Sequence, residues 1–304
     1  MPQTTPLPRR ICDAHQHFWL PRQNPYPWLT TRPPASFRYG DIQVLCRDYM
    51  PEDYRADAGD LPIAALVHVE AEWLEDDPVG ETRWLAGLRA RTGVPTVAVT
   101  AAPLHRPDID EILALQAAFP FVRGIRHKPA ASSVPGGERP ERGRMDDPQW
   151  RRGYALLAKH HLSFDLQTPW WHLDEAARLA RDFPETLIIL NHTGLPADRS
   201  EEGLAGWRRA MAALAAEPNT AVKISGLGIP GRRWTVEDNR PVVRDAMRIF
   251  GIERCAFASN YPVDGLVVTL RDIFLGFAAI VADVSEAERD ALFYGSAARL
   301  YRLP

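Results

Sequence analysis

From residue 61 onward the sequence keeps one rhythm: a short apolar run, then a stretch with apolar residues at helical spacing. The runs cover residues 63–70, 94–100, 121–126, 162–167, 186–192, 220–225 and 254–260, and an earlier one at 11–17 makes eight. Short runs without polar–apolar alternation suit strands buried on both faces, and such strands occur in parallel sheets covered by helical crossovers. The pattern therefore predicts an α/β fold, a closed (β/α)8 TIM barrel, in a single domain over residues 1–304 with a flexible segment at 1–10. An open doubly wound sheet is the rival. A dinucleotide-binding version of it would carry a Gly-rich turn after the first strand, where this chain has His15-Gln16-His17.

Boundary residues support the helical half of the rhythm. Asp147-Pro148 reads as an N-cap with proline in the first turn, and Asp108 with Glu111 and Ser285 with Glu288 have capping-box spacing. Between the first strand and residue 60 the rhythm is absent. Pro21, Pro25, Pro27, Pro33, Pro34 and Pro51 predict a long irregular loop without a regular helix. Trp19, Trp28, Phe37, Tyr39 and Tyr49 argue that it packs, because disordered segments are poor in aromatics. A long packed loop at the end of strand one is either functional or a lid over the barrel.

The net charge is −3, which gives no broad basic face for nucleic acid. Cys12, Cys46 and Cys255 have no paired spacing, so a reducing compartment is expected rather than a disulfide framework. The first ten residues lack the apolar core of a signal peptide, and no apolar run reaches the ~18 residues of a membrane helix. A soluble cytoplasmic protein whose partner is a small molecule is expected, with no nucleic acid and no membrane.

Catalytic groups of such barrels sit at the C-terminal ends of the strands. The polar residues there are His15 and His17, Glu70, Arg126 with His127, Gln167, His192, Lys223 with Ser225, and Asn260. On a regular strand His15 and His17 share one face. Two imidazoles at one point make half of a metal site or an acid–base pair, against the plain reading of core histidines held by hydrogen bonds. Glu70 has the alternative of a helix N-terminal carboxylate, and His192 that of a turn histidine. His68 could share the face of Glu70. Arg139, Arg142 and Arg144 read as a solvated basic loop.

Asp-Ala-His-Gln-His-Phe-Trp, Val-Glu-Ala, Arg-Gly-Ile-Arg-His, Leu-Asn-His-Thr-Gly, Lys-Ile-Ser-Gly-Leu and Phe-Ala-Ser-Asn-Tyr-Pro-Val-Asp occur in that order. Together they resemble the amidohydrolase-related proteins (amidohydrolase family 2), in the lactonase-like branch that includes L-fuconate, L-rhamnonate and pyrone-dicarboxylate lactonases. The resemblance covers about residues 11 to 303. It implies a (β/α)8 barrel and a hydrolase that opens the ring ester of a small polar lactone, either a sugar-acid lactone or a carboxylated one. It matches His15, His17 and His192 to the family's histidines. It also implies a departure, because Asn260 stands where the family has an aspartate.

On that reading His15, His17 and His192 polarise the carbonyl, directly or through one zinc or manganese, with Glu70 as a further candidate group. Loss of the strand-eight carboxylate predicts that metal binding is weak or absent. Arg126, His127, Gln167, Ser225 and Asn260 are the expected substrate-binding residues, Arg126 as a bidentate clamp on carboxylate or hydroxyls. An amide cannot serve as the base. Asp264 is therefore a candidate, brought back by a turn at Pro262, against the alternative that it caps the next helix. Two rival functions are a metal-dependent decarboxylase of the same superfamily and a non-catalytic small-molecule binder.

Overall fold

The computed structural model describes residues 7–30 and 39–304. Eight parallel strands stand in sequence order: β1 (Ile11–Gln16), β2 (Ile63–Val69), β3 (Val97–Ala101), β4 (Val122–Arg126), β5 (Ser163–Leu166), β6 (Ile188–Leu190), β7 (Thr220–Ile224) and β8 (Cys255–Phe257). The ring closes just beyond β8. Asn260 N–H donates to His15 O at 2.7 Å, and His17 N–H donates to Tyr261 O at 2.9 Å. With helices between the strands this is the expected (β/α)8 barrel.

Apolar side chains divide into two layers. Cys12, Ala14, Val67, Val69, Val97, Val99, Ile189, Ala221, Ala256 and Ala258 fill the barrel, and Ala297, Leu300 and Tyr301 plug its lower end. Leu66, Ala98, Ile125, Phe164, Leu190, Val222 and Phe257 face outward into the helices. Small residues inside and large ones outside suit the narrow interior of an eight-stranded ring.

β1 breaks the simple alternation. Cys12 pairs with Ala65 and Asp13 with Leu66, yet Gln16 pairs with His68, so β1 spends one residue more than β2 over this stretch. One extra residue is a β-bulge and reverses which side chains point inward. Cys12 and Ala14 belong to the inner layer, and after the bulge His15 and His17 face inward too.

Two expectations need correction. The loop after β1 does hold a regular helix, Pro51–Ala58. Pro51 sits at its first turn, where the missing N–H costs nothing. Asp108 does not cap its helix. It pairs with Arg106 through two hydrogen bonds of 2.8 Å instead. The caps at Asp147 and Ser285 form as expected. Phe37, Pro33 and Pro34, and residues 1–6 of the expected flexible segment, lie outside the described residues. The rest of the loop packs: Trp19 pairs with Tyr49 in a bridge, and Trp28 Nε1 donates to Ala71 O at 2.8 Å. Among the described residues no helix is long and apolar enough to cross a membrane.

Candidate active site

β1 delivers the first two histidines. The ring centroids of His15 and His17 are 5.0 Å apart, and those of His15 and His192 are 4.5 Å apart. His192 lies beyond β6 in a tight turn with φ of 53°, followed by Thr193 at 55°. Left-handed backbone at two consecutive non-glycine residues is strained, and such strain concentrates at working sites. Gly226 makes room for this ring, since a Cβ there would stand 2.7 Å from it. So His192 is a turn histidine and also part of the cluster.

The three rings differ in their hydrogen bonding. His17 Nδ1 meets Val69 O at 2.7 Å, which fixes the proton on that nitrogen because a carbonyl only accepts. His17 also bonds the Asn260 side chain. His192 Nδ1 is 3.0 Å from Ser225 Oγ. His15 is fully buried, and neither of its ring nitrogens has a hydrogen-bond partner among the described residues. Burial, then the positive charge of Lys223, pushes the His15 imidazolium far below the ordinary range. Burial, then Arg126, does the same to His17. Both are neutral imidazoles near pH 7.

Behind the rings lies Lys223, one of the strand-end residues, with a partner, Asp165, that the strand-end reading did not select. Lys223 on β7 is fully buried, and its Nζ is 2.5 Å from Asp165 Oδ1 on β5. Tyr301 from the lower plug donates to the same oxygen at 2.9 Å. Burial brings the Lys223 ammonium down to about 8, with Asp165 opposing. The signal for Asp165 was one charged residue inside an apolar strand, two positions before Gln167.

The β2–β4–β5 side of the mouth is different. Arg126 Nε is 2.5 Å from Glu70 Oε1, Nη2 is 2.5 Å from Glu70 O, and Nη1 is 3.0 Å from Gln167 Oε1. Glu70 also accepts from Glu72 N–H at 2.7 Å. Burial opposes its charge, but Arg126, Lys128 and that amide hold its carboxyl below the usual range. Glu70 is therefore neither a helix-capping carboxylate nor an available base. The fork of Arg126, read above as a clamp for substrate carboxylate, is taken up by Glu70 and Gln167. His127 Nδ1 accepts from Leu104 N and Trp150 Nε1, both at 3.1 Å. Glu70, Arg126, His127, Lys128, Trp28 and Trp73 line a cavity of about 440 Å³ on this side. A larger groove of about 970 Å³, between Tyr39, Trp234 and Thr269, does not touch the histidines.

Asn260 has φ of 57°, a conformation asparagine tolerates better than most residues. Its Nδ2 donates to Asp264 Oδ1 at 2.6 Å, and Asp264 N–H returns to Asn260 O at 3.1 Å. The short helix Val263–Leu266 thus folds Asp264 back onto Asn260, while Thr269 caps the helix that follows. The structure places Asp264 one residue behind the histidines, joined through Asn260 to His17.

Other residues fall outside this cluster. His68 points outward to Glu81, with Nε2 3.3 Å from its carboxylate. Arg139 is not solvated, for it pairs with Glu175 and Ala130 O. Ser132, His172 and Glu175 align like a nucleophilic triad, at 3.1 and 3.4 Å. Yet His172 Nε2 also receives Ser132 N–H, and Ser132 Oγ donates to Val134 O. That uses both partners in fastening the loop after β4.

A cation at the histidines would need convergent donors, and usually an anionic one. Among the described residues no group of three or more His, Cys, Asp or Glu is arranged to hold a metal ion. The positive charges of Lys223 and Arg126 act on His15 and disfavour a further positive charge there. Asn260 adds an amide where a carboxylate would offset them. This donor set suits a divalent metal poorly.

The description "amidohydrolase" fits residues 12–303 as a family match. The chain belongs to the amidohydrolase family. It is 40% identical over 300 residues to the protein y4mH of Sinorhizobium fredii, covering 96% of this chain and 98% of that one. It is 29% identical over 307 residues to an L-fucono-1,5-lactonase of Burkholderia multivorans, covering 96% of each. An amidohydrolase structure from Burkholderia multivorans with bound zinc superposes with a TM-score of 0.80 at 28% identity, covering 97% of this chain and 99% of that one. A 2,6-dihydroxybenzoate decarboxylase from Rhizobium, 17% identical with a TM-score of 0.63, shares the fold.

Proposed function

We propose that this amidohydrolase opens the ring ester of a small, neutral, hydroxyl-rich lactone by adding water at the barrel mouth. The observation that carries the reading is His15, a buried imidazole with two unmet hydrogen-bonding atoms. Such a group is costly in a folded chain unless a ligand completes it. A neutral imidazole takes a proton from the attacking water, and its strongly acidic conjugate returns that proton to the departing ring alkoxide. His17, fixed by Val69 O and Asn260, and His192, fixed by Ser225, flank the reacting carbon. Asp264 orients the Asn260 amide.

The charges speak for a neutral substrate. Arg126 and Lys128 are paired with Glu70 and Glu72, so among the described residues the cavity beside them offers no free cation to a carboxylate. Trp28 and Trp73 offer aromatic faces to a sugar ring. The lactonase names of the Burkholderia relatives point to the same class. Asn260 favours one rival, a binder that holds a lactone without opening it. A pH-indicator screen of neutral and carboxylated lactones, with and without chelator, separates the two. Acid release from a neutral sugar lactone, unaffected by chelator and lost in His15→Ala, is the expected result. Binding without acid release across the panel overturns the hydrolase reading.

A further inference from the structure

Lys223 is the buried charge that the cluster described above leaves without a task. Of the 36 Lys and Arg residues in the chain, three are lysines: Lys128, Lys159 and Lys223. Lys128 and Lys159 are surface groups paired with Glu72 and Asp110. Most ion pairs among the described residues use arginine, yet the most buried cationic position holds lysine, a compact ammonium with three rotatable donors rather than a planar fork. Asp165 Oδ1 is the one acceptor Lys223 reaches among the described residues, and Tyr301 shares that oxygen. The remaining Nζ protons lie inside the barrel. Ala221 of the inner layer, Lys223 and Ser225 share the inward side of β7, and Ser225 touches His192. Lys223 therefore sits one inward position below Ser225, which touches the His192 ring that stands 4.5 Å from His15. Its charge is the strongest of those acting on His15.

We propose that Lys223 Nζ is a catalytic residue that donates a hydrogen bond to the carbonyl oxygen of the bound lactone, with Asp165 and Tyr301 holding it in place. This rests on the lactone-opening reading. Water oxygen bonds to the carbonyl carbon as His15 removes its proton, and the C=O pair moves onto the oxygen held by Lys223. Collapse re-forms C=O and breaks the ring C–O bond. The ring oxygen leaves with the proton from His15, giving a hydroxy acid. Donors aimed at a developing oxyanion act on kcat more than on KM.

Lys223→Met alone leaves Asp165 buried and unpaired, so the main test is the neutral pair Asp165→Asn/Lys223→Met, which removes both charges together. The expected result is a folded protein with kcat lowered at least ~100-fold and KM changed less than ~5-fold, the scale of losing one oxyanion donor. A folded pair variant within ~3-fold of wild type overturns the proposal. Reductive methylation of the wild-type protein, mapped by mass spectrometry, is the second measurement and needs neither turnover nor a variant. Lys223 is expected to react slowly and to be shielded by lactone, with Lys128 and Lys159 unaffected. A Lys223 that never reacts, or that lactone does not shield, overturns the proposal even if the pair variant fails to fold. Wild-type protein that opens no lactone while lactone shields Lys223 sinks the hydrolase reading and leaves the contact standing.

Discussion

Asp13 and His15 are two residues apart on one strand, and both are completely buried. Asp13 faces outward. Its oxygens accept from Ser259 N–H at 2.8 Å, Ser259 Oγ at 2.5 Å, Tyr54 hydroxyl at 2.8 Å and His15 N–H at 3.3 Å. Those bonds tie β1 to the segment after β8 and to helix Pro51–Ala58. His15 faces inward, and neither of its ring nitrogens has a hydrogen-bond partner among the described residues. Both side chains are fully buried, so the contrast lies in what repays the burial. Asp13 is completed by the fold, and His15 waits for something from outside. The same strand thus carries, on its two faces, one group that the fold completes and one that it leaves open.

The contrast is sharpest under mutation. His15→Ala is expected to lower turnover 100- to 1000-fold, about 3–4 kcal/mol of transition-state stabilisation, with the thermal midpoint hardly changed. His17→Ala belongs to the same class. Near-normal turnover of both variants on an authentic substrate would return them to the role of core histidines. Asp13→Ala inverts the pattern, because it strands the donors that now converge on one carboxylate. A loss of about 3 kcal/mol in urea unfolding is expected. Unchanged stability there would erase the distinction between the two faces.

Acid gives a third test. Burial, then the neighbouring His105, lowers the His127 imidazolium to about 4, from 6.5 in an unfolded chain. A depressed histidine leaves the unfolded chain binding the proton first, so stability falls as pH drops from about 6.5 towards 4. By pH 5 the cost is about 2 kcal/mol. His15 and His17 add to it in the same direction. Denaturation midpoints at pH 7 and pH 5 measure the fall, and His127→Gln should make it shallower. A midpoint independent of pH over this window would mean these rings are not buried as neutral groups. The smallest effect is expected at Asp264→Asn: roughly tenfold in kcat, about 1.4 kcal/mol, from a loosened Asn260 rather than a lost base. Complete loss of turnover in a stable Asp264→Asn protein would instead make Asp264 the base.

Much of this architecture was legible because it rests on periodicity. Apolar runs and cap residues such as Asp147 and Ser285 report local geometry directly. What escaped depends on the third dimension. Pro51 looked like a helix breaker because its position within the first turn is invisible until the helix is there. Glu70 and Arg126 each looked available, and their mutual pairing across β2 and β4 removes that freedom. Asp165 was passed over inside a strand, since nothing local says that Lys223 and Tyr301 meet it from β7 and the C-terminal plug. His68 was given the face of Glu70 by simple alternation, but it turns outward to Glu81.

The bulge in β1 has a consequence for anyone who diversifies this chain. Ala14 and His15 both face the interior because of a count, one residue more in β1 than in β2, and not because of the identity of the residue that supplies it. Ala14 is therefore a position where a change of side chain is a packing matter, and deleting it would remove the bulge and restore plain alternation, with Cys12 inward, Asp13 outward and His15 inward. Gln16 would stay outward and both imidazoles inward. For mutant libraries at this strand, the extra residue at Ala14 is slack in the count, and its loss straightens the strand without moving the histidines to the other face.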